Sequence, residues 1–585
     1  MVLSTAVLSG CSSSHSDDPP SDPPSSPSDP PSTPSDPPPS SGNEPEISNL
    51  LCPPAYVALN SGGGSATIAG SIDFADPDGD LATFTVEIYD SGDILLTSED
   101  YPLPDLDGEA SGTAEVSFAI PTDIDGVFTF QVFLTDETEL DSNSLTGIFT
   151  VVEGDQWIWI SGSDIWHQIG AYGIKGTPSP TDSPGARNGA ASWIDPSGNL
   201  WLFGGYGRDS AAVYGRINDL WKFDGTEWTW ISGSDVIAQP GVYGTRGVAD
   251  PANVPGARQY SASWIDSSGN LWLFGGSGYD SAGDQGNLND LWKFDGTEWT
   301  WVSGSDVIAQ PGVYGTKGEA DPANIPGARA QAASWIDSSG NLWLFGGTGR
   351  DSAGDQGSLN DLWKFDGTSW TWISGSDVIN QPGVYGTKGV SDQANVPGTR
   401  HSASSWIDSS GNLWLFGGYG WDSVGGGSEI LNDLWKFDGT SWTWISGSNV
   451  ITQPGVYGTK GVADPANIPG ARYLSASWID SSGNLWLFGG TGYDSAVAGI
   501  GQLNDLWKFD GTSWTWISGS DVINQPGVYG TKGVSDQANV PGARFVAASS
   551  IDSNGNLWLF GGQGYDSYES SGRLNDLWLY VPAPD

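Results

Sequence analysis

The sequence predicts an all-β protein: a six-bladed β-propeller closed by an N-terminal strand, preceded by a β-sandwich and a disordered tether. Three observations carry this. One module of 71 or 72 residues recurs six times from about Asp155 onward. Its Pro-Gly-Ala-Arg anchor ends at Arg187, Arg258, Arg329, Arg400, Arg472 and Arg544, with Thr399 replacing Ala in the fourth copy. A fixed period means that each unit buries its apolar faces against its neighbours. Each module holds four short aromatic and branched runs bounded by Gly, Asn, Asp and Ser, and none has a helical period. The sixth module lacks its fourth run, and a matching run, Gln156-Trp-Ile-Trp-Ile160, precedes the first.

In chain order, residues 1–11 resemble the end of a bacterial lipoprotein signal. Leu8-Ser9-Gly10-Cys11 fits the lipobox, which implies acylation of Cys11 and contact with a membrane through lipid alone. The apolar part is short and no Lys or Arg precedes it, so the signal is expected to be truncated at its start. Residues 12–45 are almost only Ser, Pro and Asp, a solvated tether that cannot bury a core. No other segment is long and apolar enough to cross a bilayer.

Residues 46–152 carry alternating runs such as Ala82–Tyr89, Ala114–Ile120 and Val127–Leu134. About seven such runs predict an immunoglobulin-like sandwich. Asp76-Pro-Asp-Gly-Asp80 resembles the acidic turn of many bacterial extracellular sandwich modules, and Asp105-Leu-Asp-Gly108 and Asp123-Ile-Asp-Gly126 echo it. Carboxylates two apart can converge on Ca²⁺, which makes Asp76, Asp78 and Asp80 candidate ligands. Plain turn chemistry is the competing reading.

Residues 153–585 form the propeller. In the second module, strand a reads Ser-Ala-Ser-Trp-Ile-Asp266, strand b Leu271-Trp-Leu-Phe-Gly-Gly276, strand c Leu288-Asn-Asp-Leu-Trp-Lys-Phe-Asp295 and strand d Glu298-Trp-Thr-Trp-Val-Ser303. Asp295-Gly296 suits a tight hairpin because both residues tolerate positive φ. Gly204-Gly205, Asn218-Asp-Leu-Trp-Lys-Phe223 and Trp228, with counterparts in all six modules, resemble the kelch family over about residues 155–585. The resemblance implies a propeller. For function it leaves oxidases, sugar mutarotases and pure binding scaffolds open.

Composition narrows these. The net charge of −49 makes nucleic acid an unsuitable partner. Residues 1–152 hold 26 acidic residues and no Lys or Arg; all 21 cations lie in the propeller, which is still −23. Kelch-type copper-radical oxidases need a tyrosine–cysteine crosslink and histidine ligands. The propeller has no cysteine and only His167 and His401, which excludes that chemistry and zinc centres built from His or Cys. With Cys11 acylated, Cys52 has no partner for a disulfide. No nucleophile–base motif is present. All 31 tryptophans follow residue 155, mostly at repeated strand positions, and read as core between blades.

The long d-to-a loops and the b-to-c loops emerge on one face, so function is expected there. Variation between copies concentrates beside fixed anchors on that face. The ligand-binding candidates are Tyr206, Arg208, Gln259, Tyr260, Tyr279, Arg350, His401, Tyr419, Trp421, Tyr473, Tyr493, Phe545 and Tyr565. Drift at tolerant positions is the competing explanation. Arg187, Arg258, Arg329, Arg400, Arg472 and Arg544, and a second set, Lys175, Arg246, Lys317, Lys388, Lys460 and Lys532, are candidates for cationic rings that take up an acidic glycan or carboxylate. The alternative ties each arginine to a loop Asp of its own blade. The expected protein is a monomeric, exported, lipid-anchored component of a bacterial cell envelope that binds a glycan or a cell-surface protein. A mutarotase or lyase at the channel mouth is the second reading, and a structural envelope component the third.

Overall fold

The computed structural model describes residues 43–52, 55–60, 63–103, 106, 108–425, 427–496 and 499–584. Cys11 and the tether up to residue 42 lie outside them. The chain divides into two compact units, 1–152 and 153–585.

The first unit is two sheets around one core. Glu46–Leu51, Ser65–Ala75 and Ser111–Pro121 form a three-stranded sheet. Ala55–Ala58, Leu145–Val152, Gly126–Asp136, Leu81–Tyr89 and Leu95–Pro102 form a five-stranded one. Alternate residues of Gly126–Asp136 turn inward, as a half-buried strand requires. Phe130, Val132 and Leu134 thereby meet Ile72, Phe118 and Ile120 of the other sheet in one apolar cluster.

The second unit is a β-propeller of six antiparallel sheets. In the second sheet, strands a to d are Ala262–Ile265, Leu271–Tyr279, Gln285–Phe294 and Trp299–Ser303. The innermost strands touch in sequence, and that of the sixth sheet, Ala548–Ile551, returns to that of the first, Ala191–Ile194. Gln156–Ser161 supplies the outer strand of the sixth sheet, running antiparallel to Ser571–Val581 with Trp159 opposite Trp578. Each apolar cluster spans two sheets: Trp264, Phe274 and Leu291 of the second pack with Leu342, Leu344, Trp363 and Trp370 of the third. This is the neighbour-only burial that the repeat demands.

The glycine pair of strand b has a steric cause. Gly204 and Gly205 hold φ of 65° and 98° at a bulge in the b–c register. A Cβ on Gly204 would stand 2.8 Å from the carbonyl oxygen of Arg258 in the next sheet. Only glycine permits both the backbone conformation and the approach.

Six more left-handed residues close the channel. Tyr260 N–H donates to the Gly189 carbonyl, Gln331 to Tyr260, Ser402 to Gln331, Leu474 to Ser402, Val546 to Leu474 and Gly189 to Val546, all at 2.9–3.1 Å. The last bond completes the circle. Each of the six has φ between 55° and 67°.

Candidate functional site

The variable residues share one register. In the first sheet Asn188, in a two-residue strand just before strand a, pairs with Tyr206 of strand b, which pairs with Arg216 of strand c. The same row reads Gln259–Ser277–Asn287, Ala330–Thr348–Ser358, His401–Tyr419–Ile430, Tyr473–Thr491–Gln502 and Phe545–Gln563–Arg573 in the others. Two residues further out, Arg208, Tyr279, Arg350, Trp421, Tyr493 and Tyr565 end strand b on the same face. All thirteen residues expected from the sequence are half-buried. The six-membered backbone circle forms the floor of this rim, and Tyr260 belongs to it.

The rows are read across neighbouring sheets. Asn188 donates its amide to Gln563, Arg216 donates to Ser277 Oγ at 2.9 Å, and Asn287 donates to the Thr348 carbonyl. Two clusters break the six-fold symmetry. Where sheets six, one and two meet, the Arg573 guanidinium lies 4.5 Å from the Tyr206 ring centre and 5.2 Å from that of Tyr214. Arg208 covers Tyr214 at 4.7 Å. Where sheets four and five meet, His401 stacks on Tyr419 at 5.4 Å and Tyr419 meets Tyr473 edge-on at 5.9 Å. Among the described residues Trp421, Tyr493 and Tyr565 belong to neither cluster, and Arg350 is tied to its own loop through the Gly354 carbonyl.

Electrostatics follow the same division. Burial pushes His401 down to about 4. Burial, together with the charges of Arg208 and Arg573, holds His167 at about 4. Burial raises the Tyr473 hydroxyl, helped by Tyr419 and Glu429. Burial raises Tyr260 against the opposing pull of Arg573 and Arg216.

The arginine ring expected from the sequence does not form. Arg187, Arg258, Arg329, Arg400, Arg472 and Arg544 are each 1% exposed and reach no surface. Arg187 donates bidentately to Asp219 at 2.6 and 2.7 Å and also to the carbonyls of Gly185 and Gly204. Asp219 accepts further bonds from Tyr172 Oη and Trp221 Nε1, so every group of the network is satisfied. The other five sheets repeat the pair. The aspartate lies on strand c of the same sheet, not in a loop. The second cation set sits at the outer edge. Lys175 lies over Trp230 of strand d and donates to the Gly233 carbonyl, and Arg246, Lys317, Lys388 and Lys460 do likewise in their sheets. Much of the long d–a loop serves the same edge: Ala249–Asp250 and Ala320–Asp321 pair with strand d, covering hydrogen-bonding groups that would otherwise be open.

In the first unit Asp76 is fully buried and caps its own turn, accepting the Asp80 N–H at 2.8 Å. Asp78 is exposed and accepts the Asn43 N–H. Among the described residues no group of three or more His, Cys, Asp or Glu side chains is arranged to hold a metal ion. Asp105 and Asp107 lie outside those residues. One oxygen each of Asp76, Asp80 and Asp136 is buried without a partner, and burial plus the charge of Asp136 raises Asp80.

Below the backbone circle the channel holds a cavity of about 250 Å³ lined by Ser, Trp and Ile of the innermost strands. Ser550 stands where the other five modules carry a buried tryptophan and donates to Ser192 Oγ. Nothing in the structure explains that exchange.

Sequence reasoning missed Arg216, Arg573, Tyr214 and Asn287, which begin strand c. The available signal was period two: they alternate with the fixed residues of that strand and oppose the variable end of strand b.

No family model matches the chain, and no curated protein does. Among solved structures, a fungal alcohol oxidase of the AA5 family, in complex with copper, aligns at 13% identity with a TM-score of 0.35, covering 78% of this chain and 68% of that one. A CARDB domain from Pyrococcus furiosus, in complex with di-metal ions, aligns at 14% identity over 19% of this chain and 86% of that one, with a TM-score of 0.12. Likenesses this slight carry no functional argument. The propeller fold rests on the sheets themselves.

Proposed function

We propose that this protein is a lipid-anchored kelch-type propeller of the bacterial envelope. It binds a glycan or a cell-surface protein, without catalysis, through the rim on its loop-rich face. One observation carries the reading. Six near-identical modules hold their frame constant and vary together in one cross-strand row per sheet around a single channel mouth. A rigid frame with aromatic and polar variation over a concavity is the physical form of a recognition surface. Half-burial of the thirteen candidate residues means that each is positioned by its neighbours and still presents surface.

The test is a glycan-array and cell-surface pull-down screen with the whole chain, repeated with Tyr260, Trp421 and Tyr473 all replaced by Ala. Saturable binding that the triple variant loses, with unchanged far-ultraviolet circular dichroism, supports the reading. Binding that survives the three substitutions would remove the rim from consideration. Chemical turnover of a bound sugar would make the protein a carbohydrate-active enzyme instead.

A further inference from the structure

We infer that the junction of sheets six, one and two is an anion-binding subsite, built from Arg208, Arg216 and Arg573, that takes the acidic group of a sugar. This rests on the rim reading above and names the ligand class. Among the described residues, none of the three arginines forms an ion pair with a carboxylate. In a propeller whose net charge is −23, unneutralised cations gathered at one point of the rim are the exception.

The three are gathered through shared tyrosines. Arg573 and Arg208 both lie over Tyr214, and Arg573 also lies over Tyr206, whose cross-strand partner is Arg216. Stacking fixes the guanidinium groups of Arg208 and Arg573 by their faces and leaves N–H groups at their edges for a ligand, the edge that pairs with an oxyanion through two parallel bonds. Arg216 is steadied by Ser277 Oγ and by the amide oxygen of Gln285. The Nε atoms of all three are buried without a protein acceptor. Arg208 donates one bond to the His167 carbonyl, which leaves most of its donors unused. His167 itself is kept from protonating by burial and by Arg208 and Arg573, as a site of positive potential would require.

A sugar fits what surrounds these cations. Tyr260 offers an aromatic ring beside Gly189, and Gln259 and Gln563 offer amides for hydroxyl groups, with Asn188 holding Gln563 in place. The Arg–oxyanion bond is common to uronic acids and sulfated sugars, so the probes must separate them.

Isothermal titration of the whole chain with tetragalacturonate, with a sulfated galactan tetrasaccharide and with fully methyl-esterified tetragalacturonate makes the test. One acidic probe should bind about tenfold or more tightly than the neutral ester. Arg216→Gln with Arg573→Gln should erase that preference at an unchanged melting temperature. Arg573→Lys, which keeps charge but not the fork, should fall between. Equal affinity for acidic and neutral probes would overturn the arginine assignment while leaving glycan recognition standing. A preference that persists in the double Gln variant would overturn it too. Binding of none of the three would sink this inference, and the array screen then decides the broader reading separately.

Discussion

Val546 holds φ of 55° in the backbone circle, where its branched Cβ crowds the following carbonyl. The closed hydrogen-bond cycle keeps it there, since each residue's conformation aims its N–H at the preceding carbonyl. Val546→Gly should therefore stabilise the propeller by about 1 kcal/mol, the strain relieved exceeding the entropy gained by the unfolded chain. Gly189→Val should cost about 2 kcal/mol or more, because a Cβ there also stands 2.9 Å from the Tyr260 ring. Thermal unfolding of the two variants checks the opposite signs. His401 gives a pH dependence. It is neutral in the folded rim down to about 4, against an ordinary value of 6.5, so the unfolded chain takes up its proton first as pH falls. Stability fully present above pH 6.5 is then lost progressively toward pH 4. Denaturant midpoints across that window should fall less steeply for His401→Gln. The remaining slope should come partly from His167, whose value is also about 4.

Each sheet is organised by a buried Arg–Asp pair that a Tyr and a Trp complete. The arginine lies in the two-residue strand just before strand a, the aspartate and tryptophan lie on strand c, and the tyrosine comes from the loop that precedes the arginine. The network thus locks the loop to the sheet. Arg329→Met strands Asp361 in a dry site and should cost about 3–5 kcal/mol. Lys317→Met loses only a partly exposed contact with Trp372 and should cost about 1 kcal/mol or less. Equal losses in calorimetry would contradict the different roles assigned to the two cation sets. The contrast also shows what one dimension conveys. Strand runs, turns, the glycine pair and the shared module period are local or periodic, and they were legible. The partner of the arginine was not: the alternative reading tied it to a loop Asp, and only strand register brings Asp219 of strand c against Arg187. For the same reason Arg216 and Arg573 went unread: they adjoin no fixed anchor in the chain, and only the pairing of strands b and c places them beside Tyr206 and Gln563.

At the scale of the whole propeller, near-symmetry supplies the frame and its departures supply the chemistry. The departures cluster as cations over tyrosines on one side of the mouth and as His401, Tyr419 and Tyr473 on the other. Both clusters span junctions between sheets, so their geometry depends on the ring staying shut. That closure depends on Gln156–Ser161. Its backbone pairs with Leu577–Val581, and Asp155 accepts from Tyr580 Oη at 2.9 Å and donates its N–H to the Val581 carbonyl. Trp157 packs fully buried between Phe488 of the fifth sheet and Tyr580 of the sixth. Trp157→Ala removes that wedge and should cost about 3–5 kcal/mol, lowering the melting temperature of the ring. Trp228→Ala deletes the equivalent wedge between the first and sixth sheets, where Trp228 meets Phe560. The two losses should match if the N-terminal strand is an ordinary outer strand of the sixth sheet. A Trp157 variant that melts like the unmodified chain would show that the ring holds without its N-terminal strand, and the outer strand would then need another assignment.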